Sequence, residues 1–162
     1  MTRFVLLSTF LGLVLAGCTR PDTASSPAPS TPAALYDEWP TITVYKTPTC
    51  GCCVKWMDHL AANGFPVEGE DRPDMAPTKE TLGVPGPLRS CHTALVDGYV
   101  IEGHVPAADI RRLLDERPDI VGLSVPAMPI GSPGMEVEGR PAQAYQVIAF
   151  DAEGEQTVFA EY

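Results

Sequence analysis

The chain has 162 residues, enough for one domain with short extensions rather than several domains. Its 21 acidic side chains outweigh 11 basic ones, and the formal charge of −10 repels phosphate backbones, which excludes nucleic acid as a partner. The sequence carries no glycine-rich phosphate loop, no Gly-x-Ser-x-Gly elbow and no His-Glu-x-x-His pair, so it lacks the signatures of nucleotide binding, serine hydrolysis and zinc proteolysis.

The first segment reads as a targeting signal. Arg3 precedes an apolar run over residues 4–16, broken only by Ser8, Thr9 and Gly12 and too short to span a bilayer. Leu15-Ala16-Gly17-Cys18 resembles the lipobox of bacterial lipoproteins. It predicts a signal peptide over residues 1–17, a lipid on Cys18, and a membrane partner reached through that lipid. The expected location is the periplasmic side of the cell envelope, at the outer membrane in preference to the inner. An ordinary cleaved signal peptide is the alternative reading. Residues 18–40 read as a tether rich in Pro, Ser, Thr and Ala, able to reach about 3 Å per residue when extended. Export also places the remaining thiols where oxidation is a risk.

The folded part is expected over residues 41–162. Thr41-Ile42-Thr43-Val44-Tyr45 alternates and is β-branched, the pattern of a strand, and Thr47-Pro48-Thr49 breaks it. Cys53, Trp56, Met57, Leu60 and Ala61 then share one helical face, stopped at Asn63-Gly64. Residues 65–68 suggest a second strand, and residues 75–82 a second helix with Pro77 in its first turn. Ala94-Leu95-Val96 and Tyr99-Val100-Ile101 flank Asp97-Gly98, a two-residue hairpin turn. Pro106 opens a third helix with Ala107, Ile110, Leu113 and Leu114 on its apolar face, and Pro118 ends it. Residues 122–141 read as a long loop, and residues 145–150 and 157–162 as a final hairpin. The element order is similar to the thioredoxin architecture. The expected class is therefore α/β and thioredoxin-like, a mixed sheet with flanking helices, plus a C-terminal β-hairpin extension.

Cys50-Gly51-Cys52-Cys53 puts three thiols at the junction of the first strand and helix. Amide groups at a helix start stabilise a thiolate, which would lower the pKa of Cys50 and serve redox exchange or metal binding alike. The third thiol separates the two. An oxidoreductase needs one attacking and one resolving sulfur, and a third invites wrong pairings. A soft-metal site gains a ligand. In the thioredoxin layout Ser90-Cys91-His92-Thr93 falls opposite the dithiol, so Cys91 is expected to face the triplet; otherwise it is an inert core cysteine. A zinc site would normally use two Cys-x-x-Cys knuckles, and one is present.

Several motifs extend the pattern in order over residues 45–145. They are Tyr45-Lys46-Thr47-Pro48-Thr49-Cys50-Gly51-Cys52-Cys53, Trp56, His59, Ser90-Cys91-His92-Thr93-Ala94 and Glu102-Gly103-His104-Val105-Pro106-Ala107. Val125-Pro126-Ala127-Met128-Pro129 and Gly131-Ser132-Pro133-Gly134-Met135-Glu136 follow. Together they resemble the bacterial family of CopG-like copper-resistance proteins, long catalogued only as a domain of unknown function. The resemblance implies an exported copper(I)-binding domain, with copper held by the thiolates of Cys50, Cys52, Cys53 and Cys91 in a multinuclear, redox-active cluster. It also implies a periplasmic copper-handling protein as partner. Thiol–disulfide exchange, with Cys50 attacking and Cys53 resolving, is the alternative.

Other residues are weighed individually. Met128 and Met135 flank the long loop and either form a thioether lid over the thiols or pin the loop by packing. His104, just before the third helix, is a candidate ligand or a cap. His92 adjoins Cys91, but alternation along an extended strand would turn the two to opposite faces. His59 lies off the apolar helical face and is expected in solvent. Met57 and Trp56 are expected in the core.

Overall fold

The structure, a computed structural model, describes residues 38–162. The expected signal segment 1–17, the expected lipidation site Cys18 and residues 19–37 of the expected tether lie outside the described residues. At the end of the tether, Trp39 packs its ring 5.3 Å from that of Phe65.

Seven strands form one mixed sheet in the order β2-β1-β3-β4-β5-β6-β7. They are β1 (Ile42–Lys46), β2 (Val67–Asp71), β3 (Thr93–Val96), β4 (Tyr99–Glu102), β5 (Gly122–Ser124), β6 (Gln146–Phe150) and β7 (Gln156–Glu161), with helices α1 (Gly51–Ala62), α2 (Ala76–Thr81) and α3 (Ala107–Glu116). The β1–β2 and β4–β5 pairs are parallel and the others antiparallel. Asp97 and Gly98 both take positive φ, the conformation a tight two-residue hairpin demands. The fold class is the expected one, α/β with a mixed sheet and flanking helices.

Alternation along the strands builds two cores. Ile42, Val44, Ala94, Val96 and Ile101 pack with Trp56 and Leu60 of α1 and Ile110, Leu113 and Leu114 of α3. Val100 and Phe150, pointing the other way, pack with Val84 and Leu88 beyond α2. Each fully buried large side chain contributes about 1.5–3 kcal/mol. Trp56 is wholly buried, and its indole N–H donates to the Val105 carbonyl at 2.8 Å, tying α1 to the approach of α3. Met57 is only partly buried against this core.

Two expectations need correction. The loop assigned to residues 122–141 begins in a strand: β5 has three residues and opens on glycine, so it shows no alternation to read. That strand joins the last hairpin to the main sheet, pairing with β4 on one side and β6 on the other. Nor is His59 free in solvent. It is half-buried, and its Nε2 accepts the Ala107 N–H at 3.2 Å, capping the start of α3, where the N-cap Pro106 makes no side-chain cap.

Both corrections generate tests. A Cβ at Gly122 would lie 1.9 Å from the Val100 carbonyl oxygen, so Gly122→Ala should lower the unfolding free energy by about 3 kcal/mol in urea melts. An unchanged midpoint would remove β5 from its linking role. Burial lowers the His59 pKa from 6.5, with Arg111 reinforcing and Glu136 opposing. The unfolded chain then protonates first, so the cap contributes fully above about pH 6.5 and its contribution is lost as the pH falls below that. His59→Ala should cost about 1 kcal/mol at alkaline pH and shrink the acid-side decline in stability. The decline will not vanish, because burial also lowers the pKa values of His92 and His104.

Candidate metal centre

Strand register brings the distant residues together. β1 ends at Lys46, and a turn closed by the Cys50 N–H on the Thr47 carbonyl (3.1 Å) leads into α1 with Cys50 as N-cap. Tyr45 pairs with Thr93, so the residues just before β3 lie beside those just after β1. Thr93 also pairs with Glu102, so Cys91 and His104, each two residues beyond that pair, approach one another.

Four sulfurs meet there, from Cys50, Cys52, Cys53 and Cys91. Cys50 and Cys53 are joined as a disulfide, while Cys52 and Cys91 are free thiols. Cys52 Sγ lies 3.6 Å from Cys50 Sγ and 3.8 Å from Cys91 Sγ, and Cys53 Sγ is also 3.8 Å from Cys91 Sγ. Cys53 is fully buried and the other three are half-buried. The structure thus assembles all four cysteines singled out in the sequence.

His104 joins them. Its Nδ1 is 2.7 Å from the Pro133 carbonyl oxygen, which can only accept, so Nδ1 carries the hydrogen and Nε2 a lone pair. That lone pair is 3.1 Å from Cys91 Sγ. A backbone carbonyl fixing the far ring nitrogen is the usual companion of a metal-binding histidine.

His92 is the residue that sequence reasoning set aside. Its Nδ1 lies 3.2 Å from Cys91 Sγ, and Cys91, His92 and His104 each offer a ligand atom within 4.8 Å of the others. The alternation argument fails because residues 91 and 92 precede β3 and are not extended ladder. The ring is fully buried between Trp56 and His104, at centroid distances of 4.4 and 5.0 Å, and Nε2 has no hydrogen-bond partner. Its adjacency to Cys91, ahead of the strand, was the one signal available in the sequence.

The electrostatics favour neutral groups. Burial pushes the Cys91 thiol from 9.0 up to about 12, and the neighbouring Cys52 adds to the rise. Burial lowers both imidazoles, assisted at His92 by His104 and Lys79 and opposed at His104 by the Pro133 carbonyl and Glu136. A cation entering here must displace the Cys91 proton and meets nitrogens that are already unprotonated.

The segment after β5 closes one side of the centre. A Cβ on Gly134, at φ +84°, would lie 2.8 Å from the Trp56 nitrogen and 2.9 Å from the Cys52 carbonyl oxygen, so only glycine lets this loop rest on the first turn of α1. Met135 follows directly and is half-buried. Met128 is exposed and lines an open groove with Pro87, Leu88, Pro129 and Tyr145.

Comparison with known proteins fits this picture. Residues 88–135 match the family described as "Protein of unknown function, DUF411". Two solved structures, titled "Copper resistance protein copG" forms 1 and 2, are each 50% identical to this chain. Each match covers 77% of this chain and 98% or 99% of the other, at TM-scores of 0.72 and 0.73. No curated protein matches the chain.

The thiol chemistry can be tested residue by residue with iodoacetamide. Without reductant, Cys50 and Cys53 should resist labelling, and Cys91 should label slowly near neutral pH and faster as pH rises. Cys52→Ala should accelerate Cys91, because it removes a neighbour that holds the thiol protonated. Equal labelling of all four without reductant would remove the disulfide from the site.

Proposed function

This chain belongs to the family of CopG copper-resistance proteins, and on that premise we propose that it binds copper(I) through Cys50, Cys52, Cys53 and Cys91 on the outer side of the cytoplasmic membrane. The observation that carries the proposal is the convergence of four sulfurs from two distant segments. Thiolates are soft donors that favour copper(I) over hard cations. Two thiolates on one ion, each bonded at about 2.3 Å and at a tetrahedral angle, stand about 3.8 Å apart, which the separations from Cys91 to Cys52 and Cys53 already approach. Each sulfur can bridge ions, which supports a small cluster. His104 Nε2 and His92 Nδ1 are nitrogen candidates beside Cys91, and Met135 is a thioether candidate through its place on the covering loop.

The Cys50–Cys53 bond must take up two electrons and two protons before all four sulfurs can ligate. A thiol reductant of the envelope would supply them and become a disulfide itself. Lipid on Cys18 and the Pro-rich tether would hold the domain near the outer membrane, where it lowers free copper and passes ions to a copper-handling protein.

The disulfide gives a second reading some support. In it the reduced Cys50 thiolate attacks a partner disulfide, and Cys53 displaces the resulting mixed disulfide, leaving two thiols on the partner and the Cys50–Cys53 bond here. That activity would disappear in Cys50→Ser and persist in Cys91→Ser.

Anaerobic titration of the reduced chain with copper(I), against a chromophoric chelator, separates the two. The proposal expects retained metal and at least about a tenfold loss of affinity in Cys91→Ser. It also expects affinity to rise with pH, about tenfold per unit for each proton displaced. Reduced protein that surrenders copper(I) to a mild chelator would overturn it.

A further inference from the structure

Behind the sulfurs lies a buried ion pair that metal binding does not itself require. Glu102 ends β4 with its side chain fully buried, and Lys79 reaches it from α2 at 2.5 Å, itself almost entirely buried. The Lys79 ammonium also donates to Thr93 Oγ1 at 3.0 Å, and Thr93 Oγ1 donates to Glu102 Oε2 at 2.7 Å. The remaining bond is the informative one: the backbone N–H of Ser90 donates to Glu102 Oε1 at 2.5 Å.

Ser90 precedes Cys91, and the last sheet-like bond on this side is the Gly103 N–H donating to the His92 carbonyl at 3.0 Å, so strand pairing brings the chain to Cys91 but leaves the Ser90 backbone unpaired. Two side-chain contacts hold Ser90: the Glu102 carboxylate on its nitrogen, and its hydroxyl donating to the Ala127 carbonyl. Removing two charges from water is costly, and an apolar pair of similar volume usually serves stability as well or better. What an apolar pair cannot do is accept the Ser90 N–H.

We propose that Glu102, neutralised by Lys79, is a positioning residue that holds the Ser90–Cys91 turn so that Cys91 Sγ stays over the sulfurs of Cys52 and Cys53. The inference rests on Cys91 being a copper(I) ligand. Glu102 touches no sulfur in this scheme; it acts through the backbone of Ser90. The same strand end supplies His104 on the other side of Cys91, so β4 sets both the direction and the reach of that thiol.

The test uses the reduced full chain and the double variant Lys79→Met/Glu102→Leu, which removes both charges together and leaves neither buried alone. Far-UV circular dichroism establishes that it folds. Copper(I) competition and the alkylation rate of Cys91, read by mass spectrometry, then report positioning. The expected result is about a tenfold weaker hold on copper(I), the usual scale for losing an outer-shell partner, together with faster Cys91 labelling. Lys79→Met/Glu102→Gln likewise leaves no charge buried alone but keeps an oxygen for Ser90, so it should remain within about twofold of the parent. A folded Lys79→Met/Glu102→Leu variant with parental affinity and labelling rate would overturn the proposal, as would a folded Lys79→Met/Glu102→Gln variant that loses as much.

Should the double variant fail to fold, Thr93→Val takes its place. It removes the hydroxyl that donates to Glu102 Oε2 and accepts from Lys79, loosening the carboxylate while keeping the ion pair, and faster Cys91 labelling is expected there; no change would overturn the proposal. If the parent chain itself retains no copper(I), the binding reading falls separately, and the labelling rates alone decide whether Glu102 positions Cys91.

Discussion

The antiparallel pairing of β1 with β3 is the constraint on which the site depends. With Tyr45 opposite Thr93, the chain leaving β1 and the chain entering β3 lie side by side at one end of the sheet. A slip of one residue would turn every side chain of β3 to the other face, and the burial of Ala94 and Val96 in the main core opposes that slip. Core packing therefore locates Cys91, although Cys91 belongs to no regular element. The next ladder repeats the logic, because the Thr93–Glu102 pairing places His104 on the far side of the same sulfur.

How much of this was legible follows from how local each signal is. The triplet at residues 50–53 and the helix behind it were readable, because Trp56 and Leu60 repeat at helical spacing and Asn63-Gly64 stops the run. The Asp97-Gly98 hairpin was readable from its turn chemistry. β5 was not, since three residues beginning with glycine carry no pattern, and its reason for being a strand is the surface of β4 against it. His92 and His59 were misplaced for related reasons. One was judged by strand alternation where the strand had not begun, and the other by its helical face without knowledge of what that face would meet. The Glu102–Lys79 pair joins residues from separate elements and leaves no local trace.

Charge explains why a soft cation suits the centre. Four thiolates packed within van der Waals range would repel one another strongly in a half-buried site, and the raised pKa of Cys91 expresses that opposition together with desolvation. Lys79 offers no relief, because its ammonium is committed to Glu102 and Thr93. The imidazoles give none either, since burial favours their neutral forms. Three remedies are then open to the sulfurs: keep their protons, share a covalent bond, or receive a cation. The structure shows the second in the Cys50–Cys53 disulfide, and the raised pKa of Cys91 favours the first there.

On the proposed reading the third remedy excludes the second, because a disulfide and a bound ion draw on the same electron pairs at Cys50 and Cys53. The two cysteines are not equally free to change partners. Cys53 is wholly buried in the first turn of α1, where Gly134 rests on the neighbouring backbone, so its sulfur is held by the core. Cys50 is the N-cap, half-buried, its carbonyl accepting the first helical bond from the Val54 N–H at 3.4 Å, and it is followed by an exposed glycine with open space around it. Opening a bond of about 2.05 Å to the spacing of two ligands requires one sulfur to move by more than 1 Å, as an order-of-magnitude estimate, and the geometry assigns that movement to Cys50. On that reading Cys50 is the sulfur that would move when the disulfide opens to receive an ion, while Cys53 stays in the core.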